Sequence, residues 1–349
     1  MDYDRAWSHL NAHLRTMTDS AGGLSEAFAE LEAHQRDIGF IKDDLKSVER
    51  FVFRNPDDPA VTFRVQYNPK RALRFGGHGV QTPPDDVENV NDGCFLCREN
   101  IRWQQQNAQV GFEINVTGDA YNAWMNPFPL LSNHVVIAAA KHIGQAWDMA
   151  GDGSEVVTLT RLLGDLCDIA ERLPGHVGFY NGVDAGASIP SHLHFQFFKR
   201  PAKHPVFPLE QHHFTQPRPD GVPQFATDYP VPVALWRGDV AGVVEDATRW
   251  VGDWARRNRH RIEHLSCNFI AAGQLLDGGV TLYFIPRERG QARWSDPAGS
   301  VGSLVGGLEV LGEFVFSSER ERAMLDSGEI DFAFLNAALA GVATPFFED

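Results

Sequence analysis

The chain has 349 residues, 46 acidic against 31 basic side chains and a formal net charge of −15, in an ordinary globular composition long enough for two domains or one doubled domain. That charge argues against DNA or RNA as the main partner, since polyanion binding rests on basic surface, but small phosphorylated ligands stay open wherever cations gather. No early run joins a basic start to an apolar stretch, and no segment reaches the roughly 18 to 20 apolar residues that cross a bilayer, so a cytoplasmic protein without a membrane partner is expected.

Residues 1–50 carry helix-favouring runs such as 24–35, interrupted by Gly22-Gly23 and Gly39, and read as a helical cap. Alternation typical of a strand begins at Phe51; residues 62–67 form a strand that ends at Asn68-Pro69-Lys70-Arg71 and delivers two cations to a turn. Gly, Pro, Asp and Asn crowd residues 76–93, a loop leading to Cys94. Short strands at 114–116 and 122–125 stop at Asn126-Pro127-Phe128-Pro129, and a further strand at 134–140 continues to Lys141 and His142. Ser154 is placed as the N-cap of a helix, with Val157, Leu159, Leu162, Leu163, Leu166, Ile169 and Leu173 at three- and four-residue intervals until Pro174-Gly175.

Residues 178–200 follow directly. Their second half alternates as a strand, with His192, His194 and Gln196 on one face and Leu193, Phe195 and Phe197 on the other. A long connection at 201–229 leads to a helix at 239–258, a strand at 264–272, a turn at Asp277-Gly278-Gly279 and a strand at 280–286, and helices close the chain at 319–325 and 332–339. The helix-strand-turn-strand order thus occurs twice, the second time without His-x-His. The expected class is α+β: an antiparallel sheet with a crossing helix, duplicated, divided into a cap (1–50), a catalytic unit (51–205) and a degenerate second unit (206–349).

Four cysteines occur, and only Cys94 and Cys97 are close in sequence. Cys-x-x-Cys supplies two ligands at a spacing zinc sites use, and His142 and His192 would complete four; two free or redox-active thiols explain the spacing equally well. Cys167 and Cys267 read as buried, inert thiols. His194 is the candidate nucleophile, because a neutral imidazole attacks phosphorus near pH 7 when its other ring nitrogen is held by an acceptor. Two residues along a strand span about 6.6 to 6.8 Å, so an ion on His192 would brace the backbone and leave His194 to react. A pair of structural histidines is the competing reading; the adjoining Gln196 and glycine loop weigh against it.

That loop, Asn181-Gly182-Val183-Asp184-Ala185-Gly186-Ala187-Ser188, suits a phosphate, since the small Gly186 and Ala187 let backbone N–H groups approach an anion and Ser188 adds a hydroxyl. An ordinary hairpin turn would use similar residues. Gln196 can donate to a non-bridging oxygen, and Arg71, Lys70, Lys199 and Arg200 are local cations, each with a solvated surface role as its alternative. Asn126 could bond a ribose hydroxyl and Phe128 pack a base. His134, His176, His204, His212, His213 and His264 read as core or surface residues.

With these residues in view, the chain resembles the histidine-triad superfamily, within it the branch of galactose-1-phosphate uridylyltransferase, diadenosine tetraphosphate phosphorylase and the GDP-hexose phosphorylases, and it looks like a bacterial subgroup of that branch. The resemblance spans about residues 66–196 and rests on Asn68-Pro69-Lys70-Arg71, Cys94-Phe95-Leu96-Cys97, Asn126-Pro127-Phe128-Pro129, residues 134–142, residues 181–188 and His192-Leu193-His194-Phe195-Gln196, in the family order. It implies that Cys94, Cys97, His142 and His192 bind a structural zinc, that His194 is nucleotidylated, that Gln196 bonds the transferred phosphoryl group and that Arg71 binds phosphate, with Asn68, Lys70, Asn126, Asn181, Gly186, Ala187 and Ser188 as further substrate-binding positions. Two departures stand out: Leu193 between the histidines, and Asp184, a carboxylate in a loop meant for anions.

The expected activity is a nucleotidyltransferase or phosphorylase that cleaves a nucleotide sugar or a dinucleoside polyphosphate through a nucleotidyl-histidine, with phosphate or a sugar phosphate as acceptor. A hydrolase using the same histidine, and a non-catalytic zinc-containing nucleotide-binding protein, are the alternatives. A homodimer is left open.

Overall fold

The structure is a computed structural model that describes residues 3–73, 89–104, 110–148, 156–274, 278–295 and 301–347. Helices α1 (Tyr3–Thr18) and α2 (Gly23–Asp37) lead into a hairpin of β1 (Glu49–Arg54) and β2 (Thr62–Tyr67). Helix α3 (Arg98–Gln104) precedes β3 (Phe112–Val116), β4 (Asp119–Met125) and β5 (Val135–Ala139). The two-residue strands β6 (Trp147–Asp148) and β7 (Val157–Thr158) pair in parallel ahead of α4 (Leu159–Arg172). Then come β8 (His176–Asn181), β9 (His194–Lys199), α5 (Pro208–Gln211), β10 (Gln224–Phe225), β11 (Ala234–Gly238), α6 (Val240–Arg257), β12 (Leu265–Gly273) and β13 (Val280–Glu288). The chain continues through β14 (Arg293–Ser295), β15 (Val301–Leu304), α7 (Gly307–Val310), β16 (Glu313–Phe316), α8 (Glu319–Ser327) and α9 (Phe332–Ala340).

Nine strands form one sheet in the order β10-β11-β13-β12-β8-β9-β5-β4-β3, antiparallel at every step. The strands before residue 200 meet those after it where β8 pairs with β12, Asn181 opposite Asn268. The sheet has two covered faces, as the alternation of β9 requires. Leu193, Phe195 and Phe197 join the core under α4 and α6, where Leu162, Leu163, Leu166 and Ile169 are fully buried. Burial of each such side chain contributes roughly 2 kcal/mol. On the opposite face Phe179, Phe198, Ile270 and Tyr283 pack with residues of β2, β16 and the C-terminal helices.

The α+β class and the crossing helix hold as expected, and several details differ. Helix α4 starts at Leu159 with the Thr158 hydroxyl accepting from Arg161 N–H; the expected cap, Ser154, lies outside the described residues, and Val157 belongs to β7 because its pairing with Trp147 keeps this stretch extended. Most of the expected loop before Cys94, and Asp277 of the expected turn, also lie outside them. The N-terminal helices do more than cover the surface, since Trp7, Leu14, Phe28 and Leu31 are buried in the α4 core. A separate sheet joins β1 and β2 to β16, with β16 parallel to β2. Among the described residues no helix is long and apolar enough to cross a membrane.

Candidate active site and metal centre

Cys94, Cys97, His142 and His192 converge, their ligand atoms all within 4.8 Å of one another. Cys94 Sγ lies 3.4 Å and Cys97 Sγ 3.6 Å from His192 Nδ1, and Cys97 Sγ lies 3.3 Å from His142 Nδ1. A tetrahedral ion with metal–sulfur bonds of about 2.3 Å and metal–nitrogen bonds of about 2.0 to 2.1 Å has nitrogen–sulfur edges of roughly 3.6 Å, so the four donors fit one. The far side of the His192 ring supports this. Its Nε2–H donates to Ala139 O at 2.7 Å, which leaves the Nδ1 lone pair for the ion. The Cys97 thiol hydrogen-bonds Cys94, holding Cys94 well below the usual thiol range and pushing Cys97 above it; a dication in place of that proton suits both sulfurs. The cluster can therefore hold a metal ion.

His194 stands two positions further, outside the ligand group, on the sheet face of Gln196 and away from the α4 core. The residue is 3% exposed, and its Nδ1 lies 2.8 Å from His192 O. A carbonyl only accepts, so Nδ1 carries the hydrogen and Nε2 the lone pair. The residue that ligates through its ring thus orients the next histidine through its carbonyl. Gln196 is oriented as well. Leu130 N–H donates to His134 Nδ1 at 3.0 Å, so His134 Nε2 carries a hydrogen and donates to Gln196 Oε1 at 2.9 Å. The Gln196 NH2 is then the end left to meet a ligand.

A cavity of about 580 Å³ opens on this face, within the range of small-molecule sites. One side is lined by Arg71, Asn181, Gly186, Ala187, Ser188 and Gln196, the other by β14, β15, α7 and the start of α8, including Arg293, Ser303, Glu309, Ser318 and Arg320. Gly186 has φ +105°, and a Cβ there would sit 2.7 Å from Gly306 Cα, so the loop comes this close to the far wall because residue 186 is a glycine. Burial pushes the Glu309 carboxyl up to about 7, opposed by hydrogen bonds from Gly306 N–H and its own and by Arg71 and Arg287. Asp184 is exposed at φ +56° and does not line the cavity, so the carboxylate that looked out of place in an anion loop is turned to solvent.

Asn68, Lys70 and Asn126 are not among the residues that line this cavity. Asn68 is buried, its Nδ2 donating to Asp43 and its Oδ1 accepting from Lys70 N–H, which caps the turn at residues 69–71. Lys70 pairs with Asp44 at 3.0 Å and Asp43 at 3.6 Å. Asn126 Oδ1 accepts from Phe128 N–H, and Phe128 is buried, its carbonyl accepting from Arg71. Sequence reasoning missed His134, which it left as a core or surface residue, and the entire wall from β14 to α8. Neither carries a motif that sequence reading could have used.

Residues 31–199 match a family model described as a domain of unknown function (DUF4922), a span that takes in the Cys-His cluster, the loop at 181–188 and the β9 strand. No curated protein matches the chain. Among solved structures, yeast Ap4A phosphorylase Apa2 is similar at 15% identity and a TM-score of 0.59, over 91% of this chain and 96% of that one. Its complex with AMP gives 16% and 0.57 over 91% and 95%, and its complex with Ap4A 15% and 0.59 over 92% and 97%. The chain therefore shares the overall fold of that yeast phosphorylase.

Proposed function

We propose that the chain is a nucleotidyltransferase of phosphorylase type, with a dinucleoside polyphosphate or a nucleotide sugar as donor and phosphate or a sugar phosphate as acceptor. The observation that carries this is the pair of fixed side chains on β9: His194 with its hydrogen held on Nδ1 by His192 O, and Gln196 with its amide turned by His134. In the first step the His194 Nε2 lone pair attacks the α-phosphorus, the bond to the bridging oxygen breaks, and that oxygen leaves with the electron pair on the phosphorylated group. In the second, an acceptor oxygen attacks the same phosphorus from the opposite side and the nitrogen–phosphorus bond breaks. Two inversions retain configuration overall.

Charge on the equatorial oxygens is met by the Gln196 NH2, the loop 186–188 and Arg71. Zinc is the ion best suited to two thiolates and two imidazoles; Cys94, Cys97, His142 and His192 would hold it, and its part is structural. Those ligands fix the His192 carbonyl, and through it the His194 ring. The yeast phosphorylase structures with AMP and Ap4A support a dinucleoside polyphosphate as donor. The test is a panel of dinucleoside polyphosphates and nucleotide sugars, without acceptor, with phosphate and with a sugar phosphate, read by mass spectrometry. A nucleoside diphosphate formed only with phosphate supports the proposal; a monophosphate formed regardless makes the chain a hydrolase, and no product with any donor makes it a binding protein.

A further inference from the structure

Gln145 is fully buried, and each of its hydrogen-bonding groups is used. Its backbone N–H donates to Pro190 O at 2.9 Å, and its carbonyl accepts from the Tyr180 hydroxyl. Its side-chain Oε1 accepts from His194 N–H at 2.9 Å, while Nε2 donates to His194 O at 3.0 Å and to Asn181 O at 2.9 Å. All three side-chain bonds therefore end on two residues: the reacting histidine and the last residue of β8, where the phosphate loop begins.

The strand register explains why a carboxamide is needed there. The β8–β9 ladder runs from His176 opposite Lys199 to Phe179 opposite Gln196. Continued, it would set Asn181 against His194, whose other edge is already paired with Ala138 of β5. The ladder stops short, and the Gln145 carboxamide stands in the gap, bonding the main-chain groups that the next rung would have joined. We propose that Gln145 is a positioning residue, a wedge that splays β9 from β8 and so sets the separation between the His194 ring and the anion-binding loop 181–188. The assignment rests on His194 as nucleophile, and it names what holds that nucleophile at its working distance.

A carboxamide offers one acceptor and two donors on a single plane, which is the set this gap uses. Methionine matches its length and offers neither; glutamate would face two carbonyl oxygens without a donor. The test compares wild type, Gln145→Met and Tyr180→Phe, the last removing only the hydroxyl that holds the Gln145 carbonyl. Each is measured for the rate of nucleotidyl-protein formation, KM, metal content, melting temperature and the ¹⁵N–¹H imidazole signals of His194. Displacement by about 1 Å lowers the rate on the order of 100-fold, so Gln145→Met loses about that in adduct formation and kcat, with KM and metal content at wild-type values. Tyr180→Phe loses about fivefold, the equivalent of one neutral hydrogen bond.

Folded Gln145→Met with the wild-type rate overturns the inference, as does a kcat loss matched by equal changes in KM and metal content. Should Gln145→Met not fold, Tyr180→Phe decides, and a wild-type rate there overturns it. A wild-type chain that forms no adduct contradicts the proposed function alone. The imidazole signals still judge Gln145 in that case: the Nδ1–H pattern must be lost or mixed in the variant, and an unchanged pattern refutes the wedge.

Discussion

Replacing His134 tests whether the chain of hydrogen bonds behind Gln196 does what its geometry says. In wild type, Leu130 N–H fixes the His134 ring and His134 fixes the Gln196 amide at 2.9 Å, so the NH2 end faces the cavity. In the proposed mechanism Gln196→Met removes a donor to the transferred phosphoryl group, and such a loss slows the chemical step by about 10²- to 10³-fold. His134→Phe keeps the donor but lets the amide turn. Losing a neutral hydrogen bond of about 1 kcal/mol lowers the rate about fivefold. Since His134 acts on the phosphate only through Gln196, adding His134→Phe to the Gln196→Met variant costs nothing further in rate, and the coupling in the cycle equals the whole single-mutant effect. Stability behaves differently: His134 is 2% exposed, and its loss leaves Leu130 N–H without its acceptor in both backgrounds, at about 1 to 3 kcal/mol. Single-turnover nucleotidylation and denaturant unfolding separate the two. A rate loss from His134→Phe that persists undiminished beside Gln196→Met refutes the reasoning.

Cys97→Ser removes a ligand shared by both histidines at 3.3 and 3.6 Å, so metal content measured by elemental analysis falls from one ion per chain towards zero, with a lower melting temperature. Wild-type protein purified with no metal, at unchanged stability, contradicts that centre. The Glu309 carboxyl sits at about 7 in the folded chain against 4.5 ordinarily, so the folded state holds a proton that the unfolded state releases between those values. Stability from this group is therefore full below about 4.5 and is lost as pH rises through about 7, by roughly 3 kcal/mol in all, and Glu309→Gln flattens that limb of the pH–stability curve. The same ionisation places a negative charge on the cavity wall, so affinity for a nucleoside polyphosphate drops above pH 7 in wild type and less in Glu309→Gln, by calorimetry. Arg71→Ala weakens nucleotide binding because Arg71 lines the cavity, whereas Lys70→Ala, whose ammonium is turned to Asp43 and Asp44, leaves it unchanged; equal losses contradict this placement.

Local repetition made much of this legible in the sequence. The three- and four-residue spacing of Leu162, Leu166 and Ile169 marked the crossing helix, and the two-residue alternation around His194 set Leu193, Phe195 and Phe197 apart from His194 and Gln196, as their place in the α4 core bears out. Cys94 and Cys97 supplied half of the candidate metal cluster by their spacing, and His142 and His192, distant in sequence, stood as candidates for the rest that the resemblance then favoured. What stayed hidden depends on tertiary register. Nothing around Gln145 marks a glutamine destined for a gap between two strands, and His134 becomes informative only when β5 lies beside β9 and brings its ring to Gln196. The cavity wall from β14 to α8 carries no motif, because it contributes through the close contact of Gly186 with Gly306 and through single side chains such as Glu309. Asn68 and Lys70 lie outside the cavity lining for a related reason: a turn rich in polar groups can commit them to its own cap and to neighbouring carboxylates.

The proposed mechanism requires the imidazole of His194 to form a bond to phosphorus, and that bond can be trapped. Protein incubated with a dinucleoside polyphosphate labelled at the α-phosphorus, without acceptor, is quenched in base, digested and sequenced by mass spectrometry. A stable, acid-labile nucleotidyl group on His194, absent from His194→Ala and discharged when phosphate is added, is the predicted result. Turnover of the same donor with no such adduct, or with the label on another residue, would contradict it.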